Sequence, residues 1–330
     1  MFLKSYFFLF FFFLSLGTLI SVSANNWFTV WLGLEINLMS MIPIMINKVN
    51  QLCSEASIKY FITQALASVM LIFSSTINLF MSSMNLEMIN IMLIIALLMK
   101  SGMAPFHTWF PQVISSMNWI QSLTLFTWQK VAPLLLLTSS ASIYITAAAI
   151  SSAVIGSISG FNQTIMKLLL TFSSVSHSGW MVLACSINFK LWMIYFMIYS
   201  LLVTSIITLI CNKYSKVIEI NYINQSLFFK ITWVSLIFSL GGLPPLLGFL
   251  SKLLVINKLT TFSMFFTIAM LILSSLISLF WYLRMIYSTS MLNHSMIKIN
   301  FMSDKNTISS LIYTATFLNI MAPSLMFILT

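Results

Sequence analysis

Long apolar runs alternate with short polar breaks from one end of the chain to the other. Apolar stretches fall at about 2–23, 26–46, 55–80, 88–117, 119–140, 142–163, 166–187, 190–212, 227–256, 262–287 and 307–328. Each reaches the roughly 20 residues that carry a helix across the hydrocarbon of a bilayer. Backbone in hydrocarbon must pair every N–H and C=O internally, so uninterrupted runs of this kind fold as helices. A transmembrane barrel would alternate polar and apolar positions over strands of about 10 residues, and the sequence lacks that alternation. The pattern predicts an all-α, polytopic transmembrane bundle of about eleven helices.

The first run has the layout of a cleavable secretory leader: Lys4, the apolar stretch from Ser5 to Ile20, then Val22-Ser23-Ala24. It is also long enough to span, and ten further apolar segments follow, so it reads as a retained first helix. Composition agrees with the membrane reading. Hydrophobic residues make up 60% and charged residues 6% of the 330, against about 45–50% and about 25% in soluble domains. Little chain is left over for an extramembrane domain that could hold a nucleotide, a flavin or an iron–sulfur cluster. The net charge of +10 comes from single lysines scattered between apolar runs, without the basic stripe that nucleic-acid binding requires. Cys53, Cys185 and Cys211 form no CxxC pair and make no disulfide framework.

Charge also orients the chain. If the first helix starts inside, the N-terminus and the even-numbered loops carry Lys4, Lys48, Lys59, Lys167, Lys213, Lys216, Lys230, Arg284, Lys298 and Lys305. The odd-numbered loops carry Lys190 and Lys258. The positive-inside rule then places the N-terminus inside and the C-terminus outside.

Two spans are interrupted. The fourth contains Met99-Lys100-Ser101-Gly102-Met103-Ala104-Pro105-Phe106-His107, and the ninth Gly241-Gly242-Leu243-Pro244-Pro245-Leu246-Leu247-Gly248. Interior proline removes a backbone bond and clashes with the preceding turn, so both helices should break. Each is the fourth span of a set of five, covering about 2–140 and 142–287, with a final helix at about 307–328. An odd number of spans inverts the second set, and paired broken helices mark inverted-repeat transporters. The expectation is a single transmembrane domain built from two inverted five-helix repeats, each with one broken helix.

Four charges lie inside the spans: Glu35, Lys100, Lys130 and Lys252. A charge at the membrane centre costs about 2.5–3.5 kcal/mol on insertion scales, so four cost on the order of 10 kcal/mol. That is comparable with the net stability of a whole domain. An ion pair between Glu35 and one lysine would explain two of them and leave the other lysines without an acid, because Glu55, Glu87 and Glu219 lie at loop ends. Burial disfavours the charged form of any such group and an opposite charge favours it. A row of one carboxyl and several amines can therefore exchange protons near neutral pH, which is proton-path chemistry.

His107, after the first break, and His177, among the hydroxyls of Ser173, Ser174, Ser176 and Ser178, are possible members of that path. Each is equally readable as a histidine bonded to backbone. Neither has a His, Cys or acid partner at ligand spacing, which argues against a metal or haem site. Glu55 and Lys59 form an i,i+4 surface pair. Trp27, Trp109, Trp119 and Trp192 suit interfacial anchors, and the run from Phe7 to Phe13 suits a lipid-facing surface. The chain has no GxGxxG, no phosphate-binding loop and no nucleophile beside a base.

These residues carry a resemblance. Trp31-Leu32-Gly33-Leu34-Glu35-Ile36-Asn37, Ser54-Glu55-Ala56-Ser57-Ile58-Lys59-Tyr60-Phe61, the fourth-span motif around Lys100, Thr127-Trp128-Gln129-Lys130-Val131-Ala132-Pro133 and Leu240-Gly241-Gly242-Leu243-Pro244-Pro245 resemble the chain 2 branch of the antiporter-like subunit family of mitochondrial NADH:ubiquinone oxidoreductase, respiratory complex I. Asn162-Gln163 with Lys167, the serines around His177, and Tyr282-Leu283-Arg284-Met285-Ile286-Tyr287-Ser288 match as well. The matches run in order from about residue 17 to 290. Ser101, where many relatives are apolar, and Ser251, where several have proline, depart from the pattern without touching a titrating group.

The resemblance implies a proton-translocating membrane-arm subunit of the H+-translocating NADH:ubiquinone reductase, in the mitochondrial inner membrane, with the N-terminus in the matrix and the C-terminus in the intermembrane space. It implies that Glu35 and Lys100 form a pair, that Lys130 is the central lysine, and that Lys252 belongs to the second broken helix. It assigns His107 and His177 to family positions on the possible path. It implies no cofactor on this chain, with NAD, FMN, iron–sulfur clusters and ubiquinone held by other subunits. The implied partners are neighbouring antiporter-like and small transmembrane subunits, accessory subunits and phospholipids such as cardiolipin. Two rivals share the charge pattern: a freestanding cation/proton antiporter, which would want more than one carboxylate at mid-membrane, and a purely structural subunit.

Overall fold

The computed structural model describes residues 2–46, 50–80, 86–138, 143–210, 227–291, 314, 316–317 and 319. Every regular element among them is helical: α1 (Phe2–Ser23), α2 (Trp27–Met45), α3 (Gln51–Phe80), α4 (Leu86–Ser101), α5 (Trp109–Ser116), α6 (Trp119–Phe126), α7 (Trp128–Leu137), α8 (Ile143–Ser159), α9 (Met166–Ile187), α10 (Phe189–Ile210), α11 (Leu227–Gly241), α12 (Leu247–Thr261) and α13 (Phe265–Met291). Six of them are individually long and apolar enough to cross a membrane. Joining α4 to α5, α6 to α7 and α11 to α12 across their breaks gives an element at each of the first ten expected spans. Most of the eleventh, together with Cys211, Lys48, Lys213, Lys216, Lys298 and Lys305, lies outside the described residues.

The chain divides into two compact units, Met1–Ser152 and Ala153–Thr330. In the first, α1 lies along α2 at very short range. A Cβ on Gly17 would sit 2.8 Å from the Gly33 carbonyl and 2.9 Å from the Asn37 nitrogen, and one on Gly33 would sit 2.6 Å from the Ser21 nitrogen. Small residues at such crossings let backbones touch where lipid supplies no hydrophobic drive for association. α3 packs against α2, α4 and α5, and α7 against α4 and α1. The second unit is centred on α9, which is almost wholly buried and contacts α10, α12 and α13. Phe8, Phe12, Phe28, Val69, Phe265 and Phe266 are more than half exposed, the outward apolar surface that a lipid-facing protein needs.

The two expected breaks are built alike. α4 ends with Gly102 at φ +68, whose N–H donates to the Met99 carbonyl while that of Met103 donates to Leu98. α11 ends with Gly242 at φ +82, whose N–H donates to Ser239 while that of Leu243 donates to Phe238. Both are Schellman caps, which want glycine at the left-handed residue. A third break was not expected. At Thr127 (φ −112, ψ −73) the fifth span divides into α6 and α7. There the Lys130 N–H bonds the Thr127 carbonyl three residues back, at 3.2 Å. The Thr127 hydroxyl donates to the Leu123 carbonyl at 2.8 Å, a local bond that competes with regular helix. Pro133, inside α7, supplies no N–H for the Gln129 carbonyl.

Three of the four tryptophans depart from their expected role. Trp109, Trp119 and Trp192 are buried, and the Trp109 indole N–H braces the first break by donating to the Met99 carbonyl at 3.1 Å.

Candidate functional site

Each break holds a buried amine. Lys100, in the last turn of α4, is 6% exposed, and Lys130, three residues after the Thr127 break, is 2% exposed. Both line one small cavity with Tyr60, Ser101, Trp109, Phe110, Leu125 and Gln129, with room for about one water. The Lys130 ammonium stands 5.4 Å from the centre of the Phe110 ring, a cation–π contact of about 0.5–2 kcal/mol that offsets part of its desolvation. A second cavity of similar size is also lined by Lys100, Tyr60 and Gln129 and is completed by Leu34, Asn37, Leu38, Gln64 and Pro133.

Glu35 projects from α2, half-buried, close enough to Lys100 and Tyr60 to act on both electrostatically. Among the described residues it makes no direct ion pair with Lys100; the direct acid–lysine contact is Glu55–Lys59, at 2.6 Å on the exposed start of α3. Helix α2 is nevertheless tied to the lysine-bearing helices. Gln129 Nε2 donates to Asn37 Oδ1 at 2.9 Å. Gln121 Nε2, at the start of α6, donates to the Ile44 and Met45 carbonyls at 2.7 and 2.9 Å. Gln64 Nε2 reaches the Lys100 carbonyl at 3.5 Å.

In the second unit Lys252, 6% exposed, lies on α12 and reaches back across its break. Its ammonium donates to the Gly241 carbonyl at 3.0 Å and stands 5.9 Å from the ring centre of Trp180 on α9. Three residues before Trp180, His177 Nδ1 meets the Tyr195 hydroxyl at 2.8 Å. Tyr195, Tyr199 and Tyr282 are buried in the same unit. The serines along α9 donate to carbonyls three residues back.

Thus Lys100 and Lys130 share a cavity with Glu35 nearby, and Lys252 and His177 share a buried polar neighbourhood. His107 stands apart. It is half-exposed in the first break, outside both cavities, and its buried Nδ1 has no hydrogen-bond partner among the described residues. Sequence reasoning missed Asn37, Tyr60, Gln129, Tyr195, Tyr199 and Tyr282. Their signal was faint: neutral polar side chains inside apolar runs, of which Asn37, Tyr60, Gln129 and Tyr282 lie one or two residues from a charge. Among the described residues no three His, Cys, Asp or Glu side chains gather to hold a metal.

Comparison with known proteins fits this geometry. The family profile described as NADH:quinone oxidoreductase/Mrp antiporter, TM, matches residues 24–278. The NADH-ubiquinone oxidoreductase chain 2 of Anopheles gambiae is 43% identical over 307 residues, 89% of each chain. The chain belongs to the NADH-ubiquinone oxidoreductase chain 2 family. The chain 2 of Aedes aegypti is 41% identical over 328 residues, covering 95% of this chain and 94% of that one. A chain of respiratory complex I from Thermus thermophilus has the same fold, with a TM-score of 0.85 at 20% identity over 97% of this chain and 79% of that one. The interrupted helices of this chain 2 relative therefore sit in a fold shared far beyond the range of its sequence matches.

Proposed function

We propose that the chain is a proton-translocating subunit of the membrane arm of respiratory complex I, a multi-pass protein of the mitochondrial inner membrane with its N-terminus on the matrix side. The observation that carries this is the placing of Lys100 and Lys130 on one water-sized cavity within electrostatic reach of Glu35, in a chain 2 relative. Two amines joined by a water can pass a proton without any bond-making chemistry. Closing Glu35 onto Lys100 at about 4 Å, in surroundings of effective dielectric near 20, is worth roughly 4 kcal/mol. Glu35 therefore acts as a switch. Paired, it holds the proton on Lys100; withdrawn, it lets that proton pass to Lys130 and on towards Lys252, with His177 beside the later leg and His107 as a candidate at the first break. In the inverted-repeat reading, with sets at about 2–140 and 142–287, each half has an interrupted fourth span for this purpose, and the first half has the Thr127 break as well.

The redox work belongs elsewhere. NAD, FMN, iron–sulfur clusters and ubiquinone are held by other subunits, and the driving charge arrives through neighbouring antiporter-like and small transmembrane subunits. Accessory subunits and phospholipids such as cardiolipin complete the surroundings. Lys130→Met tests the reading: the complex assembles, while proton pumping and the coupled reduction of quinone fall. Full pumping by that variant would remove Lys130 from the path.

A further inference from the structure

We propose that the Tyr60 hydroxyl holds and orients the water through which a proton passes from Lys100 to Lys130. The inference rests on the proton path proposed above and deepens it. Both lysines and Tyr60 line the same one-water cavity. A water in transit accepts a hydrogen bond from the Lys100 ammonium and donates one to the neutral amine of Lys130. It keeps one hydrogen and one lone pair in hand, and a buried water makes about three bonds in all.

Of the neutral lining groups, the Tyr60 hydroxyl is the one that carries an uncommitted proton and lone pairs on a single atom among the described residues. Phe110 and Leu125 have nothing polar to offer. The Trp109 indole N–H is committed to the Met99 carbonyl at 3.1 Å, and an indole has no acceptor. The Ser101 hydroxyl gives its proton to the Leu98 carbonyl, also at 3.1 Å. Gln129 has given one amide proton to Asn37, and each end of an amide plays a single role. The Tyr60 hydroxyl makes no hydrogen bond to another described residue, and it donates or accepts as it turns. Nor is it sealed off. The indole nitrogens of Trp233 and Trp281 are enclosed without a hydrogen bond among the described residues, and the Tyr60 oxygen is not in that condition. With the residue only 2% exposed, the open space its hydroxyl meets is that of the cavities it lines.

The phenol is held in register with Lys100 by two separate ties. α3 turns Lys59 outward to its surface pair with Glu55 and buries Tyr60, while Gln64, one turn on, reaches the Lys100 carbonyl at 3.5 Å. The Tyr60 ring lies 5.8 Å from that of Trp109, which is tied to Met99 beside Lys100. Glu35 is within electrostatic reach of Tyr60 as well as of Lys100. While that carboxylate is near, it draws the hydroxyl proton towards itself and leaves a lone pair for the water. Once it withdraws, the hydroxyl proton turns to the water, whose own hydrogen is then aimed at Lys130. The Lys100 ammonium gives a proton to the water, and the water gives one to the neutral amine of Lys130. One N–H bond breaks, one forms, and a single positive charge moves between the lysines.

The test uses the assembled complex in sealed liposomes and the variant Tyr60→Phe, which keeps the ring and its packing. The readouts are quinone-linked turnover normalised to NADH oxidation by a soluble artificial acceptor, its response to an uncoupler, and its ratio in H2O and D2O. Loss of one hydrogen bond at the transfer step should slow normalised turnover about two- to tenfold. Uncoupler should not restore it, since the block lies inside the protein, and the isotope ratio should rise as proton transfer becomes limiting. Assembly and artificial-acceptor activity should stay as they were, because a hydroxyl bonded to water alone holds no helices together. Turnover and isotope ratio equal to those of the unaltered complex overturn the assignment. Loss of assembly or of acceptor activity, with normalised turnover and isotope ratio unchanged in whatever complex remains, marks a structural hydroxyl and overturns it too. Lys130→Met separates the layers: if it stops pumping while Tyr60→Phe is normal, the role of Tyr60 alone is wrong, and if it pumps fully the path falls with that role.

Discussion

Two adjacent glycines at the second break should respond to the same substitution in opposite directions. Gly242 has φ +82, and a Cβ there would lie 2.9 Å from Lys252 Nζ and 3.1 Å from its Cδ. Gly242→Ala therefore places an L-residue in the left-handed region, at about 1–2 kcal/mol. It also pushes the ammonium off the Gly241 carbonyl, a bond to a charged group worth about 1.5–3 kcal/mol. Together these make roughly 3–5 kcal/mol, a large share of an ordinary stability margin of about 5–15 kcal/mol. At Gly241 a Cβ meets only Tyr282 Cδ2 at 3.5 Å and Leu279 Cγ at 4.0 Å, ordinary contacts. Gly241→Ala should be neutral or stabilising by about 0.4–1 kcal/mol, through the lost freedom of the unfolded chain. The assay is thermal inactivation of NADH:ubiquinone turnover in purified complex, with turnover before heating normalised to artificial-acceptor activity. Gly242→Ala should lower both the midpoint and the normalised rate, and Gly241→Ala neither. Equal shifts in the two variants would refute the placing of Lys252 against the break.

Tyr195→Phe removes the hydroxyl that meets His177 Nδ1, and loss of such a buried bond costs about 1–3 kcal/mol. The inactivation midpoint should fall, and Tyr195→Phe with His177→Phe should fall less than the sum of the single variants. Gly17→Val drives a branched side chain into the backbone of Gly33 and Asn37, overpacking worth about 1–3 kcal/mol or more; a native gel should show markedly less assembled complex. In mildly solubilised mitochondrial membranes, mass spectrometry should locate this chain in the very large band that stains for NADH oxidation. A small NADH-inactive particle would point to a freestanding carrier.

What could be read from the sequence follows from where physics leaves few choices. Apolar runs in hydrocarbon can only be helices, so the first ten spans were legible. Gly102 and Gly242 with their following prolines announced two breaks, because a left-handed cap and a missing N–H are properties of single residues. The Thr127 break carried no such mark: it depends on a hydroxyl choosing a backbone partner, which threonines do in many unbroken helices. Lys100, Lys130 and Lys252 stood out because a charge in an apolar run is costly wherever it packs. Asn37, Gln129 and Tyr195 did not, since a neutral polar side chain can be satisfied by its own helix, and the bond between Asn37 and Gln129 joins residues 92 apart. Trp109, Trp119 and Trp192 were misread for a related reason. An amphipathic ring suits an interface and a buried carbonyl equally well, and packing chose the carbonyl for Trp109.

The cavities beside Lys100 also bear on which ions this protein can handle. A space for about one water cannot admit a sodium or potassium ion with its hydration shell. The side chains that line it offer two amines, a phenol and amides, with no carboxylate to replace that shell. A metal cation entering would lose its water and meet like charge. A proton avoids both penalties because it travels as a rearrangement of bonds and never as a body that must fit. On the proposed path, selectivity for protons over alkali cations is thus a matter of size and sign at this one place.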